Sequence, residues 1–298
     1  MNIAMSENDL VGPLREALVV AAVAGMSGTL RVTGDPGGTI HLANGRVAGI
    51  ETPGAPGPEV LLLRSRRVSE PAWDAGFAAA AAAGVPLGAE LVKRGIIGSG
   101  ELEALLCTAV ADSMFVLASG TVDDYRAEQG PVDFVLPLDA GAEADWLLTE
   151  TARRLQVLAS LPVRPDRGRI VAASGAEPLD LRQGEILALA DGRRTARDLA
   201  FALGRGVYAT LLQLARMYEA GLLVTAAERA GFQPGGWKLG HSAPSGTPAP
   251  AGELPRRSKD PAALARRVVP RGRSRDLPAS LGLLRPRGRR DVDPGETP

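Results

Sequence analysis

Cysteine occurs once in this 298-residue chain, at Cys107, and histidine twice, at His41 and His241. A disulfide within the chain is excluded, and nothing points to an oxidising compartment. Four Cys or His ligands for a structural zinc cannot be assembled. Aromatic residues make up 4% of the chain against an ordinary 45% of hydrophobic residues, so the core has to be built from Leu, Val, Ile and Ala. No uninterrupted apolar run approaches the ~20 residues of a membrane span. Met1 to Leu10 lacks the basic-then-apolar pattern of a signal peptide. The expectation is a cytoplasmic protein with no membrane contact. Lysine stands only at Lys93, Lys238 and Lys259. With so much Ala, Gly and Pro, the preference for Arg is the mark of a GC-rich genome and says little about function.

Catalytic constellations are missing too. No Gly-Lys-Ser/Thr follows a Gly-rich stretch, so there is no Walker phosphate loop. Gly34 to Gly38 is Gly-rich but sits between two strand patterns, where a turn needs it. Cys107 lies at an apolar helical position beside Leu105 and Leu106, as a small core residue would. His41 alternates with Ile40 and Leu42 and is expected on the solvent side of its strand. Asp123-Asp124 is expected in a solvated turn beyond a helix end. The chain is therefore expected to be non-enzymatic, with no cofactor and no metal.

What is present is a split in charge. Residues 1–232 hold 21 basic and 28 acidic side chains, and residues 233–298 hold 13 and 6. From Gln233 on, Pro, Gly, Ser and Arg dominate, a composition too poor in apolar surface to offset its ordering entropy, so 232–298 is expected to be a disordered Arg/Pro-rich tail. The clearest local signal lies near the start. Thr29 to Thr33 and Thr39 to Leu42 alternate apolar and polar residues, and Asn44-Gly45 supplies a type I′ turn into Arg46–Ile50. These strands predict a three-stranded antiparallel meander. Helices are predicted over 9–25, 59–66, 69–83, 87–94, 100–118 and 145–159, with Ser69 and Ser99 as N-caps and Gly84 and Gly95 as stops. Asp9 is placed to cap the first. Val132 to Leu136 reads as a further strand.

A second unit follows over 178–231. Gln183–Ala190, 196–203 and Val207–Ala220 read as three helices, the second opened by a capping box at Thr195 and Asp198. Gly204-Arg205-Gly206 is a tight turn, and Leu222–Thr225 begins a strand. Three helices, a tight turn between the last two, then a strand, is the order of a winged helix. Its third helix would be the reading helix, presenting Arg205, Ala209, Leu212 and Arg216 with Gln213 at one edge; Arg193, Arg194 and Arg197 are placed to touch phosphates. The unit holds 7 basic and 6 acidic residues, and Leu212 in mid-face suits a protein contact. DNA and other signalling proteins therefore both stand as candidate partners.

The run Ser27-Gly-Thr-Leu-Arg-Val-Thr33, followed by Gly38-Thr-Ile-His-Leu-Ala-Asn-Gly-Arg-Val-Ala-Gly-Ile-Glu51, resembles the opening of the PATAN domain of bacterial signalling proteins. Pro86 to Ile97 resembles a short helical repeat in the N-terminal domain of type II secretion ATPases. Some of those domains bind cyclic di-GMP through Arg-Leu-Gly, but here Pro86 stands where the Arg would be. Asp191–Ala200 through Glu219–Val224 looks like the winged helix that often follows PATAN domains, as in actinobacterial MarR-type regulators. The resemblance implies signalling and protein interaction. The expected fold is α+β: a PATAN-like domain over 1–160, a linker over 161–177, a winged helix over 178–231 and the tail. Two functions are carried forward. One is a winged-helix, DNA-associated transcriptional regulator. The other is an adaptor in a small-GTPase or two-component system with the winged helix used for docking. The homo-oligomeric state is left open.

Overall fold

The computed structural model describes residues 12–161 and 168–225. Asp9, residues 162–167 of the expected linker and the Arg-rich tail lie outside the described residues. In chain order the elements are α1 (Gly12–Val23), β1 (Gly28–Asp35), β2 (Gly38–Ala43), β3 (Arg46–Glu51), α2 (Pro58–Arg64), α3 (Glu70–Ala83), α4 (Leu87–Lys93), α5 (Ser99–Ser119), β4 (Thr121–Gln129), α6 (Ala144–Ser160), β5 (Arg169–Ala172), α7 (Leu181–Leu189), β6 (Asp191–Thr195), α8 (Ala196–Leu203), α9 (Val207–Glu219) and β7 (Leu223–Thr225).

The expected hairpin is there. Asn44 and Gly45 have φ of 50° and 77°, and Ala43 faces Arg46 across a two-residue loop, as a type I′ turn requires. Ser69 accepts a hydrogen bond from the N–H of Ala72, and Gly84 ends α3 in the left-handed conformation. For α5 the cap position belongs to Gly98, one residue before the expected Ser99.

The meander is larger than expected. β4 pairs antiparallel with the free edge of β1, giving a four-stranded sheet in the order β3-β2-β1-β4. Asp123 and Asp124 thus lie on a strand, where the sequence had suggested a turn. The register slips between Thr33 and Gly34 opposite them. This bulge leaves Val122 and Tyr125, three residues apart, both half-buried. Val132 to Leu136 is not a strand. That segment crosses the sheet instead: Phe134 stacks at 4.9 Å on the ring of His41, and the N–H of Leu138 donates to the carbonyl of Ala48. A Cβ on Gly49 would overlap the Phe134 ring at 2.3 Å, so glycine there gives Phe134 its seat. His41 is accordingly only 4% exposed, which corrects its expected solvent-side placement.

α5 runs through the centre of the molecule. It has 21 residues and is long and apolar enough on average to span a membrane, although it carries Glu101, Glu103 and Asp112, and 67% of its apolar stretch is buried within the fold. Leu105, Leu106, Val110, Met114, Phe115 and Leu117 join the residues of the sheet, α1 and α6 in one core.

The C-terminal lobe is built on a three-stranded antiparallel sheet in the order β6-β5-β7. Its central strand, β5, falls inside the stretch expected to be linker. Thr195 and Asp198 form the predicted capping box, and Gly204 ends α8 in the left-handed conformation. All described residues of both lobes belong to one compact unit. α8 packs on α2, and α9 packs on α5 and α6.

Candidate functional site

The first turn of a helix leaves backbone N–H groups without intrahelical partners. At α9 the cap residue is Gly206, which has no side chain to offer them. The partner comes from the other lobe. Asp112 lies in the middle of α5, 3% exposed. It accepts from the N–H of Val207 at 2.5 Å and from the N–H of Tyr208 at 2.9 Å. A carboxylate at this position also complements the positive end of the helix dipole. A Cβ on Gly206 would stand in tight contact with this carboxylate, at 3.2 Å.

Aromatic and charged groups close around this joint. Tyr208 meets Phe115 of α5 edge-on at 5.3 Å. The guanidinium of Arg154, on α6, lies 4.9 Å from the centre of the Tyr208 ring and 3.5 Å from Asp112. Arg154 also donates to Glu150 at 2.7 Å, and Glu150 accepts from Arg153 as well. Burial pushes the Asp112 carboxyl up from the ordinary range, against the pull of the two backbone N–H groups and Arg154. Glu150 is drawn the other way, down to about 2, chiefly by its hydrogen bond from Arg153. A second close approach lies beside the first: a Cβ on Gly204 would be 2.5 Å from the backbone nitrogen of Ser65 at the end of α2.

Next to the joint the two lobes enclose an open groove of about 840 Å³. Its rim carries Arg64, Arg66 and Arg67 from the end of α2, Arg182 from α7, and Arg205 from the turn before α9. The exposed part of its floor is made of small side chains, among them Ala104 and Thr108 of α5, Ala202 and Ala209. Arg67 pairs with Glu101 at 3.5 Å, and Arg205 pairs with Glu185. Arg64, Arg66 and Arg182 are exposed and make no ion pair among the described residues.

The eight residues singled out from the sequence differ in exposure and in their partners. Arg205, Ala209 and Gln213 line the groove. Leu212 is half-buried, where an exposed contact residue was expected, and Arg216 is exposed. Arg193 and Arg197 are exposed, but Arg194 is held by Asp191 at 2.9 Å and by the carbonyl of Leu189. Asp112, Tyr208, Arg154 and the arginines after α2 went unnoticed in the sequence. A signal was there for Asp112, the one charged side chain between Glu103 and Asp123 in an apolar helix, and for the run Arg64-Ser-Arg-Arg67. Among the described residues no group of three or more His, Cys, Asp or Glu is placed to hold a metal ion. Comparison with known proteins adds no relative: no protein family, no curated protein and no solved structure matches this chain.

Proposed function

We propose that this chain is a non-enzymatic regulatory adaptor, a cytoplasmic docking scaffold for other signalling proteins, in which a winged-helix-like unit is used for packing and partner docking. The Asp112 cap carries this reading. A DNA-reading helix offers its N-terminal residues to base edges, with nearby N–H groups free for phosphates. Here the first N–H groups of α9 already bind a carboxylate, which repels an approaching phosphate. Arg205, which the sequence places at the reading end, is engaged with Glu185. Near-neutral charge over 178–231 supports the same reading, because phosphate neutralisation dominates DNA affinity. So does the PATAN-like run over Ser27 to Glu51, whose resemblance implies protein interaction.

The transcriptional-regulator reading draws on the exposed Arg193, Arg197 and Arg216. The test is fluorescence anisotropy of a labelled mixed-sequence duplex with the full chain and with the triple variant Arg193→Ala/Arg197→Ala/Arg216→Ala, at two salt concentrations. The adaptor reading expects the triple variant to bind DNA as the wild type does, any affinity coming from elsewhere in the chain. Loss of binding, with a salt slope flatter by about one unit per phosphate contact removed, would establish the DNA reader and overturn the adaptor.

A further inference from the structure

We infer that the groove between the lobes is the docking site for an acidic peptide segment of a partner protein. The inference rests on the adaptor reading and assigns its contact surface. Five arginines against two glutamates ring the groove, an excess of positive charge on a body whose residues 1–232 carry more acidic than basic side chains. That local reversal of sign is what steers an acidic partner to one place. Arginine is suited to carboxylates because its planar fork donates two parallel hydrogen bonds.

The arrangement of the rim adds to this. Arg64 and Arg66 project from the N-terminal lobe and Arg182 from the C-terminal lobe, so a bound segment meets guanidinium groups from both lobes. Arg67 and Arg205 are already held by Glu101 and Glu185. Those two arginines already have carboxylate partners, and the other three stand open to a ligand carboxylate. The floor is the second observation. Small side chains from α5, α8 and α9 leave the backbone of a peptide room to approach. Its volume of about 840 Å³ exceeds what one carboxylate or phosphate fills and leaves room for a peptide segment. Ala209 and Gln213 give α9 a share in this contact, and Arg205 adds the turn before it.

The experiment uses the full chain and a fluorescein-labelled peptide of twelve residues alternating Glu and Ala, followed by anisotropy at low salt. The groove variant Arg64→Gln/Arg66→Gln/Arg182→Gln is compared with the off-groove variant Arg193→Gln/Arg197→Gln/Arg216→Gln. A third variant, Ala104→Trp, fills the floor without changing charge. Circular dichroism establishes that each is folded. The expected result is a loss of affinity of at least tenfold in the groove variant and at least threefold in Ala104→Trp, with less than a twofold change off the groove. Equal losses in the two arginine variants, or none in either, overturn the assignment. So does an unchanged affinity in Ala104→Trp, which would show that attraction is diffuse. Tripolyphosphate and a DNA duplex serve as competitors: displacement of the peptide by either, abolished in the groove variant and stronger than by unlabelled peptide at equal charge, assigns the groove to phosphates and overturns the peptide. Failure here leaves the adaptor reading standing, because that reading is tested separately, by DNA binding through the off-groove arginines and at the first turn of α9.

Discussion

Replacing Asp112 with Ala removes both hydrogen-bond acceptors from the first turn of α9. Hydrogen bonds to a charged group contribute about 1.5–3 kcal/mol each, and the Val207 and Tyr208 N–H groups are left with no partner of their own helix. Against this, the variant no longer has to bury a carboxylate, and the raised Asp112 carboxyl shows that this burial is costly. The net loss is therefore about 2–4 kcal/mol, near the range found when one partner of a buried charged contact is deleted. For a body of this size about 2–4 °C of melting temperature is lost per kcal/mol, so Asp112→Ala should melt about 5–15 °C lower. Asp112→Asn keeps one carbonyl oxygen for one N–H and should fall about half as far. The assay is thermal unfolding by circular dichroism, with urea titration giving the free energy. A decrease below about 1 kcal/mol in Asp112→Ala, smaller than the loss of an ordinary helix cap, would refute the claim that this carboxylate joins the lobes.

The two carboxyls of the joint respond oppositely to pH. Glu150 is held below its unfolded value, so its contribution is full above the ordinary glutamate range and is lost as pH falls towards about 2; Glu150→Gln should flatten acid unfolding in that window. Asp112 is held above its unfolded value, so its contribution declines as pH rises from the ordinary aspartate range through the raised one, and Asp112→Asn should remove that decline from the stability–pH curve. Gly45→Val places a β-branched residue at φ 77° and a Cβ 2.7 Å from the carbonyl of Ala22; thermal unfolding should show a loss of at least about 2 kcal/mol. Gly204→Ala should destabilise by about 1–3 kcal/mol through its left-handed φ and its approach to Ser65, seen as an equilibrium shift in urea.

Local chemistry made most elements legible. The Asn44-Gly45 turn, the Ser69 cap, the Thr195–Asp198 box and the glycines after α3 and α8 each act within a few residues, and each stands where its chemistry places it. What escaped depends on partners distant in the chain. β4 carries only Val122, Tyr125 and Ala127 as apolar residues, and the bulge opposite Thr33 breaks the two-residue period that would have marked it. β6, Asp191 to Thr195, is polar throughout and exists because β5 pairs with it. His41 alternates like a solvent-facing residue, but Phe134, ninety-three positions on, covers that side of the sheet. The candidate site was legible only at α9 and the turn before it, through Arg205, Ala209 and Gln213. Its other half comes from α2 and α5, and no local pattern tells that Asp112 caps a helix ninety-five residues away.

With Asp112 holding its first turn, α9 is closed to DNA at that end. Nitrogen–proton correlation spectra of the full chain report on the Val207 and Tyr208 amides directly. Both resonances should move in Asp112→Asn, as their charged acceptor is lost, and neither should move when a DNA duplex is added to the wild type. Resonances that stay in place in Asp112→Asn, or that shift on addition of DNA, would contradict it.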